Sequence, residues 1–488
     1  MSKEEIGITA SKKDNFSEWY TQVVLKSKLA DYAPVKGLIV LRPDGYSIWE
    51  SLKSSLDKKL GRRGVGNGFL PTLIPESLLA KEKKHFAGFD PEVFWVTHSG
   101  KEEIGDKLAL RPTSETLAYT MYSRWIKSWR DLPLRINFWN TALRAEIKAT
   151  KPFLRTSEFL WQEGHTVHTD SKDAKDEADA IMNIYIETVE NELAIPVITG
   201  RKSEKEQFVG AEYTITMESM MPDGRALQMG TSHFLGQNFS KPFEVKYADK
   251  DNVEKFAWQT SWGVSWRLLG AMIMVHGDDH GLILPPKMAP IQTVIIPIYY
   301  SKQDEMAVIS KAEQMHKEIS GIGVRVHIDR REGMTPGFKY HDWEMRGVPL
   351  RIEIGPRDLK DDKSIFAKRT GGKEKIPLKD TASHVKTALD TIQSEMLKAA
   401  RTILYENMHD ATTYQEFKSI LGIKDDLVRG GGFLRSPWCG KTICEDAIKE
   451  ETGAEIRVIP NDEHVLDDAK CVYCGKDAEH MPLFARGY

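Results

Sequence analysis

The sequence predicts three successive parts: an α+β domain built on an antiparallel sheet, an α/β domain, and a small α+β domain that carries the cysteines. Three observations lead to this prediction. The first 285 residues contain short aromatic and apolar segments broken by glycine or polar turns, strands then alternate with helices, and all four cysteines lie beyond residue 438. We predict domain boundaries at 15–285, 286–400 and 401–488.

The first part combines one long amphipathic helix with short strands. Residues 174–193 place their apolar side chains on one helical face, with Asp170 or Ser171 available as the N-cap. Four segments around this helix have the composition of strands in an antiparallel sheet: INFWNTALRAEI, TSEFLWQEGHT, ALQMGTSHFLG and WGVSWRLLG.

The second part begins after a Pro-Pro pair, where the pattern changes to alternating strands and helices. We predict a strand at TVIIPIYY, a helix over 303–319, an alternating strand at 324–328 and a helix over 336–346. Another alternating strand covers 350–354, and a long helix runs over 381–407. Strands that alternate with helices are typical of a separate α/β domain.

Composition favours a globular protein of several domains. The chain has 488 residues, of which 41% are hydrophobic and 28% charged, and it is too long for one compact core. No run approaches the roughly eighteen apolar residues that span a bilayer. The charged N-terminus MSKEEIGITASKKD contains no apolar signal region. We therefore expect a cytoplasmic protein without a membrane partner.

Charge is distributed unevenly along the chain. The net charge of -3 argues against a general nucleic-acid coat, but residues 325–375 hold thirteen Lys and Arg against nine Asp and Glu. This local excess fits either a surface that faces phosphate groups or an ordinary solvated basic face, and composition leaves both open.

The cysteines form two closely spaced pairs. Cys439 and Cys444 have the spacing C-x4-C, and Cys471 and Cys474 have the spacing C-x2-C. Thiols stay reduced in the cytosol, and such pairs are the usual ligands of tetrahedral zinc. Unrelated buried thiols or disulfides are the alternative, but the restriction of all cysteines to one region favours zinc. Four thiolates leave no open position on the metal, so the predicted site is structural.

The stretch LRAEIKATKPFLRTSEFLWQEGH carries the most informative pattern. It contains Arg144-x-Glu146 and then Arg155-x-x-x-Phe159-x-x-x-Glu163. This pattern resembles motif 2 of class II aminoacyl-tRNA synthetases, an RxE strand, a loop and a returning strand of the form RxxxFxxxE. A ladder of surface salt bridges between two strands is the alternative interpretation of an isolated RxE.

Two further motifs occur in the order found in this family. GVGNGFLPTLIP places Pro71 where the motif 1 proline of the dimer interface belongs, and SWGVSWRLLGAMI supplies Arg267 in a motif 3 context. Three motifs in the correct order outweigh the salt-bridge interpretation. The resemblance implies the class II synthetase fold for the first part, and a homodimer.

The residue types suit the chemistry that this resemblance implies. Attack of a carboxylate on the α-phosphate of ATP develops charge on that phosphate, and a fixed guanidinium such as Arg144 stabilises it better than a flexible ammonium. Arg155 can hold the outer phosphates, while Phe159 offers a ring on which adenine stacks beneath Arg267. We expect Mg²⁺ to arrive with ATP, because no cluster of His, Asp and Glu ligands stands out in this half of the sequence.

Two segments indicate which amino acid is used. LRPTSETLAY is similar to the RPTSE element of prolyl-tRNA synthetases, and QMGTSHFLGQNFS is close to their ATSHxLGQNF element. Proline is a secondary amine with an apolar ring, so its site needs a carboxylate and an aromatic wall. By resemblance, the prolyl pocket contains Thr113, Glu115, Arg144, Trp161, Glu163 and His233. The implied ATP site contains Arg144, Glu146, Arg155, Thr156, Phe159, Gln228, Thr231, Ser265 and Arg267. The implied catalytic residues are Arg144 and Arg267.

The segment HIDRREGMTPGFKYHDWEMRGVPLRIEIGPRDL resembles the class IIa anticodon-binding domain of this family and accounts for the basic excess. Arg351 and Glu353 lie two apart on one strand and therefore share a face. Together with Lys368 and Arg369 they are the predicted contacts to the anticodon of tRNA(Pro). A solvated surface charge is the alternative for each of them.

Two features place the chain within the family. About a hundred residues separate Glu163 from Arg267, which leaves no room for the editing insertion of bacterial-type prolyl enzymes, and a four-cysteine extension ending in Tyr488 is typical of the archaeal/eukaryotic type. The resemblance implies that proline and ATP form prolyl-adenylate and diphosphate, and that the prolyl group then passes to tRNA(Pro) with release of AMP.

Two alternative functions remain. A threonyl-type enzyme would need Cys or His zinc ligands in the active site, and all the cysteines lie outside the catalytic half. A non-catalytic sensor of tRNA or amino acid would not need to keep the arginines that handle ATP.

Overall fold

The protein is described by a computed structural model that covers residues 7–85, 92–145, 149–423, 431–465 and 467–488. Its largest sheet contains strands from the first and last parts of the chain, and a second large sheet belongs to the middle part. The predicted ATP contact Glu146 lies outside the described residues.

The N-terminal elements lead to the edge of the largest sheet. They are the helix α1 (Phe16–Lys26), the strands β1 (Ala30–Tyr32) and β2 (Ile39–Leu41), the helix α2 (Pro43–Arg62) and the strand β3 (Gly66–Gly68). Buried side chains on α2 recur mainly every three or four residues, which is the pattern of an amphipathic helix: Ile48, Trp49, Leu52, Leu56 and Leu60.

A small antiparallel sheet follows. Its elements are β4 (Leu73–Pro75), the helix α3 (Glu76–His85), β5 (Trp95–Ser99) and β6 (Glu102–Leu110), with the strand order β4-β6-β5. The helix α4 (Glu115–Trp125) comes next, and a 3-10 turn (Trp129–Asp131) leads into the main sheet. Because α4 begins at Glu115 and buries that residue, the helix fixes its carboxyl group inside the protein.

The main sheet contains the segments that were predicted as strands. In chain order, this region comprises β7 (Leu134–Leu143), β8 (Glu158–His168), α5 (Ser171–Leu193), β9 (Ile198–Arg201), β10 (Tyr213–Met220), β11 (Ala226–Gly236), the hairpin β12 (Lys246–Ala248) and β13 (Glu254–Phe256), β14 (Trp258–Ser265) and α6 (Arg267–His276). The strand order is β9-β10-β11-β14-β8-β7-β3. All neighbours in it are antiparallel except β3 and β7, so the predicted antiparallel sheet is confirmed.

One predicted strand changes to a helix within its own length. The segment WGVSWRLLG is extended only as far as Ser265, and α6 begins at Arg267. Short apolar runs fit a buried strand and a buried helix equally well, so periodicity could not locate this change. Arg267 therefore lies at the first position of a helix.

The helix α5 covers one face of the main sheet and leaves the other face to the site. Tyr185 of α5 donates a hydrogen bond to Gln162 Oε1 at 2.6 Å, and Ser232 Oγ donates to Ala178 O at 2.8 Å. Side chains alternate along a strand, so residues on either side of Gln162 and Ser232 point away from α5. This alternation directs Trp161, Glu163, Thr231 and His233 to the opposite face.

The middle part is an α/β domain, as predicted. Its elements are β15 (Thr293–Pro297), α7 (Lys302–Gly321), β16 (Val326–Ile328), α8 (Pro336–Met345), β17 (Leu350–Ile354), α9 (Pro356–Lys360), β18 (Lys363–Lys368), β19 (Lys373–Pro377) and α10 (Thr381–Glu406). The strand order is β16-β15-β17-β18-β19, and the first three strands are parallel. The boundary predicted between residues 400 and 401 falls inside α10.

The last part extends the main sheet. It contains β20 (Met408–Asp410), α11 (Tyr414–Leu421), β21 (Phe433–Arg435), α12 (Thr442–Thr452), β22 (Glu455–Pro460) and β23 (Leu483–Ala485). Ile459 of β22 pairs with Arg201 of β9. Gly200 permits this approach, because a Cβ there would lie 2.0 Å from Ile459 O.

Across the described ranges, the helices are too short or too polar for any of them to cross a lipid bilayer.

Candidate functional site

A cavity of about 650 Å³ lies on the face of the main sheet that α5 leaves open. It brings together the predicted proline and ATP contacts that belong to the described residues. These contacts are Thr113, Glu115, Arg144, Arg155, Thr156, Phe159, Trp161, Glu163, Gln228, Thr231, His233, Ser265 and Arg267.

The strand register explains why residues distant in sequence meet here. Thr231 on β11 lies opposite Gly263 on β14, and Gly263 lies opposite Glu163 on β8. Two residues further along the strands, Ser261 of β14 lies between His233 of β11 and His165 of β8. The cavity floor is therefore formed by side chains from adjacent antiparallel strands.

Two buried carboxyl groups, Glu115 and Glu163, define one end of the cavity. The backbone N–H of Ser114 donates to Glu163 Oε2 at 3.1 Å, and Asn140 Nδ2 donates to Oε1 at 2.9 Å. The Ser114 hydroxyl also donates to Glu163, while the Thr113 hydroxyl donates to Glu115. Glu163 therefore has the larger set of donors.

These two carboxyl groups experience opposite net influences. Burial raises the pKa of Glu115, although the nearby imidazole of His165 opposes the shift. Burial acts on Glu163 as well, but hydrogen bonds from His165, Ser114 and Asn140 outweigh it and lower the pKa of Glu163. In the free protein Glu163 is the better-stabilised carboxylate, and a ligand with a cationic N–H group would favour ionisation of both.

His165 is a buried histidine that contacts Glu163. Its Nε2 lies 3.3 Å from Glu163 Oε2, and its Nδ1 lies 3.2 Å from the hydroxyl of Tyr119. Burial alone would lower the pKa of His165, but the hydrogen bond to Glu163 and the charges of both carboxyl groups raise it. The two carboxyl groups therefore favour the protonated form of His165.

His233 has a different environment. Its Nδ1 lies 2.8 Å from Thr214 Oγ1, its Nε2 lies 3.0 Å from Thr231 Oγ1, and its ring centroid lies 4.7 Å from that of Phe208. Burial and repulsion from His165 lower the pKa of His233 to about 3. His233 is therefore a neutral, fixed imidazole in the cavity wall at neutral pH.

Arginines and an aromatic ring define the other end of the cavity. The Arg144 guanidinium lies 5.3 Å from the centroid of the Phe159 ring, within the range of a cation–π contact. Burial, followed by repulsion from Arg144, lowers the pKa of Arg267 to about 10, so Arg267 remains protonated at neutral pH. An anionic ligand such as a polyphosphate would relieve the repulsion between these guanidinium groups.

The acidic end also corrects one expectation from the sequence. No cluster of His, Asp and Glu ligands stood out in the catalytic half, yet ligand atoms of Glu115, Glu163 and His165 all lie within 4.8 Å of one another. Strand pairing and the start of α4 bring these residues together, which sequence spacing does not reveal. Hydrogen bonds donated by Ser114 and Asn140 occupy part of the lone pairs of Glu163.

Several residues that line or support the cavity were missed. Phe208 and Lys202 line it but belong to no motif in the sequence. Asn140 accepts a hydrogen bond from Trp161 Nε1 while it donates to Glu163, so it holds two predicted contacts in place. Asn140 lies opposite Trp161 in the pairing of β7 with β8, a register that the sequence does not reveal.

The cysteine cluster has the geometry of a tetrahedral metal site. The Sγ atoms of Cys439, Cys444, Cys471 and Cys474 all lie within 4.8 Å of one another. Cys439 Sγ lies 3.7 Å from both Cys444 Sγ and Cys474 Sγ. Zinc with Zn–S bonds of about 2.3 Å separates its sulfur ligands by about 3.8 Å, so the donor set fits zinc.

The predicted anticodon contacts divide into two groups. Arg351 Nη2 lies 3.0 Å from Glu353 Oε1, which confirms that these side chains share a face, and Lys368 Nζ lies 3.8 Å from Glu374. Arg369, in contrast, forms a two-pronged ion pair with Asp278 of the first part, and its side chain is about as buried as that of Glu353.

Arg369 thus holds the middle part against the first part. Its Nη1 lies 2.8 Å from Asp278 Oδ2, and its Nε donates to Glu344 O at 2.9 Å. Arg369 was predicted as an anticodon contact because it is charged. Its partner Asp278 lies in the other domain, and the sequence does not indicate that the two residues meet. In this structure Arg369 is a domain contact rather than an exposed anticodon contact.

Comparison with protein families gives matches for three regions of the chain. A family model described as tRNA synthetase class II core domain (G, H, P, S and T) matches residues 94–276, and one described as anticodon binding domain matches 292–388. A third, described as prolyl-tRNA synthetase, C-terminal, matches 420–488. The main sheet and its cavity are therefore those of a class II aminoacyl-tRNA synthetase core.

Similar proteins extend over nearly the whole chain. A proline–tRNA ligase of Cenarchaeum symbiosum is 68% identical over 99% of this chain and 100% of its own length. Proline–tRNA ligases of Natranaerobius thermophilus and Alkaliphilus oremlandii are 48% and 46% identical, each over 97% of this chain and over 97% and 96% of their own lengths. The chain belongs to the family of proline–tRNA ligases.

Proposed function

We propose that this chain attaches L-proline to tRNA(Pro) in two ATP-dependent steps. The carboxylate of proline attacks the α-phosphate of ATP, which gives prolyl-adenylate and diphosphate. The 2′- or 3′-hydroxyl of the terminal adenosine of tRNA then attacks the adenylate and releases AMP, so no covalent intermediate with the chain is needed. The observation that carries this proposal is one cavity with carboxyl groups at one end and arginines at the other.

The acidic end suits the secondary amine of proline. A cationic ring nitrogen has two N–H groups, and Glu115 and Glu163 offer two carboxyl groups that both lie within hydrogen-bonding distance of the Thr113 hydroxyl. Trp161 and Phe208 supply an aromatic wall for the apolar ring. The neutral His233 completes this wall without adding a charge that would repel the amine.

The opposite end suits ATP bound with Mg²⁺. Arg144 stabilises the charge that develops on the α-phosphate, Arg155 holds the outer phosphates, and adenine stacks between Phe159 and Arg267. Mg²⁺ would enter with ATP and would offset the negative charge of its phosphates. Further polar contacts to the nucleotide come from Thr156, Gln228, Thr231 and Ser265. Arg144 and Arg267 are the catalytic residues in this scheme.

The middle part binds the anticodon through Arg351, Glu353 and Lys368. Arg351 lies 4.2 Å from the ring centroid of Tyr340, so a guanidinium and an aromatic face are offered together. Unpaired bases are recognised by such stacking surfaces and by hydrogen bonds to their edges. Arg369 lies next to Lys368 and joins this domain to the first part through its ion pair with Asp278.

Three further properties belong to the proposal. The four cysteines bind structural zinc, and the protein acts in the cytoplasm.

The chain forms a homodimer through the edge of the main sheet at β3, where the Phe69 side chain beside Pro71 is 81% exposed. Sedimentation at micromolar concentration tests the dimer, and a monomer would contradict it.

The decisive experiment is ATP–diphosphate exchange with each of the twenty amino acids, measured with purified protein and Mg²⁺. We expect exchange to be strongest with proline and to be abolished by Arg144→Ala. Arg130→Ala is the matched control, because Arg130 packs against Trp129 on the surface and lies outside the cavity. Exchange led by threonine would assign a threonyl enzyme, and no exchange with any amino acid would assign the sensor.

A further inference from the structure

Residues 202–208, which begin the connection from β9 to β10, form one wall of the cavity. Within this 202–208 segment, Lys202, Glu206 and Phe208 line the cavity. The Phe208 ring packs against His233 with a centroid distance of 4.7 Å. The position of the 202–208 segment therefore determines the shape of the amino-acid end of the cavity.

The helix α12 of the last part contacts the outer side of this segment. Three polar pairs join them: Ser203 Oγ with Glu445 Oε1 at 2.8 Å, Lys205 with Asp446, and Glu206 Oε1 with Lys449 Nζ at 3.3 Å. Positions 445, 446 and 449 lie on one face of a helix, so α12 is turned toward the segment over a full turn.

The start of the segment is fixed by a buried ionic group. Lys202 Nζ donates to Glu218 Oε1 at 2.8 Å, and Arg457 donates from Nε and Nη2 to Glu218 Oε2 at 3.1 and 2.9 Å. Arg457 lies on β22, so this support also comes from the last part of the chain. Removing one partner of such a group leaves an uncompensated buried charge. Because this is costly, the three side chains stay together.

We propose that the last part of the chain positions the 202–208 segment through α12 and thereby sets the affinity of the cavity for its amino acid. Glu445, Asp446 and Lys449 line no part of the cavity and act through the segment, so they are positioning residues. The identity of the amino acid rests on the proposed function. The ordering of the segment by α12 rests on the contacts alone.

The test uses reversal and restoration of the ion pair between Lys205 and Asp446, neither of which lines the cavity. Asp446→Lys and Lys205→Asp should each raise the KM for proline in diphosphate exchange by about threefold to tenfold. The KM for ATP and kcat should stay within about twofold, and the double variant should recover the lower KM for proline. Hydrogen–deuterium exchange of the 202–208 segment should rise in both single variants and fall again in the double variant.

A matched control is the ion pair between Arg401 of α10 and Glu190 of α5, which also joins distant parts of the chain but does not touch the segment. Arg401→Glu should leave the KM for proline and the exchange of the segment unchanged. The inference is overturned if the Lys205 and Asp446 variants lose thermal stability with an unchanged KM for proline, or if segment exchange does not respond. A wild-type protein that activates no amino acid would refute the proposed function, whereas segment exchange would still report on positioning by α12.

Discussion

The two carboxyl groups of the acidic end should respond very differently to the same substitution. Glu163 accepts hydrogen bonds at both oxygens, from the Ser114 backbone and from Asn140 among others. A glutamine at 163 would place its NH2 group against one of these sets of donors. Glu115 has the Thr113 hydroxyl as its donor, and burial raises its pKa, so Glu115→Gln removes a charge that burial opposes.

The magnitude follows from the hydrogen bonds that each substitution breaks. A hydrogen bond to a charged group contributes about 1.5–3 kcal/mol, and a buried donor left without its partner costs a further amount. Glu163→Gln disturbs more than one such hydrogen bond, so we expect it to reduce the free energy of unfolding by about 3 kcal/mol or more. Glu115→Gln should change the free energy of unfolding by less than about 1 kcal/mol at neutral pH.

The pH dependence separates the two groups further. Glu163 has a lowered pKa in the folded state, so its contribution is present above its unfolded pKa and is lost as the pH falls through the folded value. Glu115 has a raised pKa, so its contribution is present at low pH and is lost as the pH rises through the folded value. The wild-type minus Glu115→Gln difference in stability should therefore become less favourable to wild type with rising pH.

Urea unfolding at several pH values, followed by intrinsic tryptophan fluorescence, measures these differences. Diphosphate exchange measures their functional counterpart, in which Glu163→Gln should raise the KM for proline by at least about a hundredfold. A Glu115→Gln variant that is less stable than Glu163→Gln at neutral pH would show that the charge has been assigned to the wrong carboxyl group.

Two more predictions concern packing and metal binding. A Cβ at Gly164 would lie 2.0 Å from the buried Trp262 ring, so Gly164→Ala should lower stability by about 3 kcal/mol. Gly61→Ala is its control, because Gly61 lies within α2 with open space around it and should gain about 1 kcal/mol in thermal or urea unfolding. Cys471→Ser should lose bound zinc in metal analysis and make the last part of the chain sensitive to limited proteolysis, whereas a full zinc content would contradict the four-thiolate site.

The sequence predicted elements best where one periodicity extends over many residues. The apolar face over 174–193 matches α5 at Ser171–Leu193, and Asp170 is its cap, as expected. The change from β14 to α6 was missed because its apolar residues fit both periods. The pairing of β22 with β9 could not be predicted either, since contacts between strands that are distant in sequence leave no local pattern.

In the site, too, residues within sequence motifs were predicted and residues brought in only by folding were missed. Motif residues on β8 and β11 reach one cavity because side chains two apart share a face of a strand. Phe208 and Lys202 belong to a connection without a motif, and only the folded structure shows that they line the same cavity. Arg369 illustrates the opposite error, because its charge was visible in the sequence while its buried partner Asp278 was not.

The opposed charges at the two ends of the cavity explain how two negatively charged reacting groups can approach each other. The carboxylate of proline and the α-phosphate of ATP repel one another, and a cation between them lowers that cost. Arg144 is suited to this place, because its Nε lies 3.4 Å from Pro112 O, beside the proposed proline end, while its guanidinium lies over Phe159 at the proposed ATP end. Arg267 and Arg144 repel each other in the free protein, and a bound phosphate group relieves this repulsion.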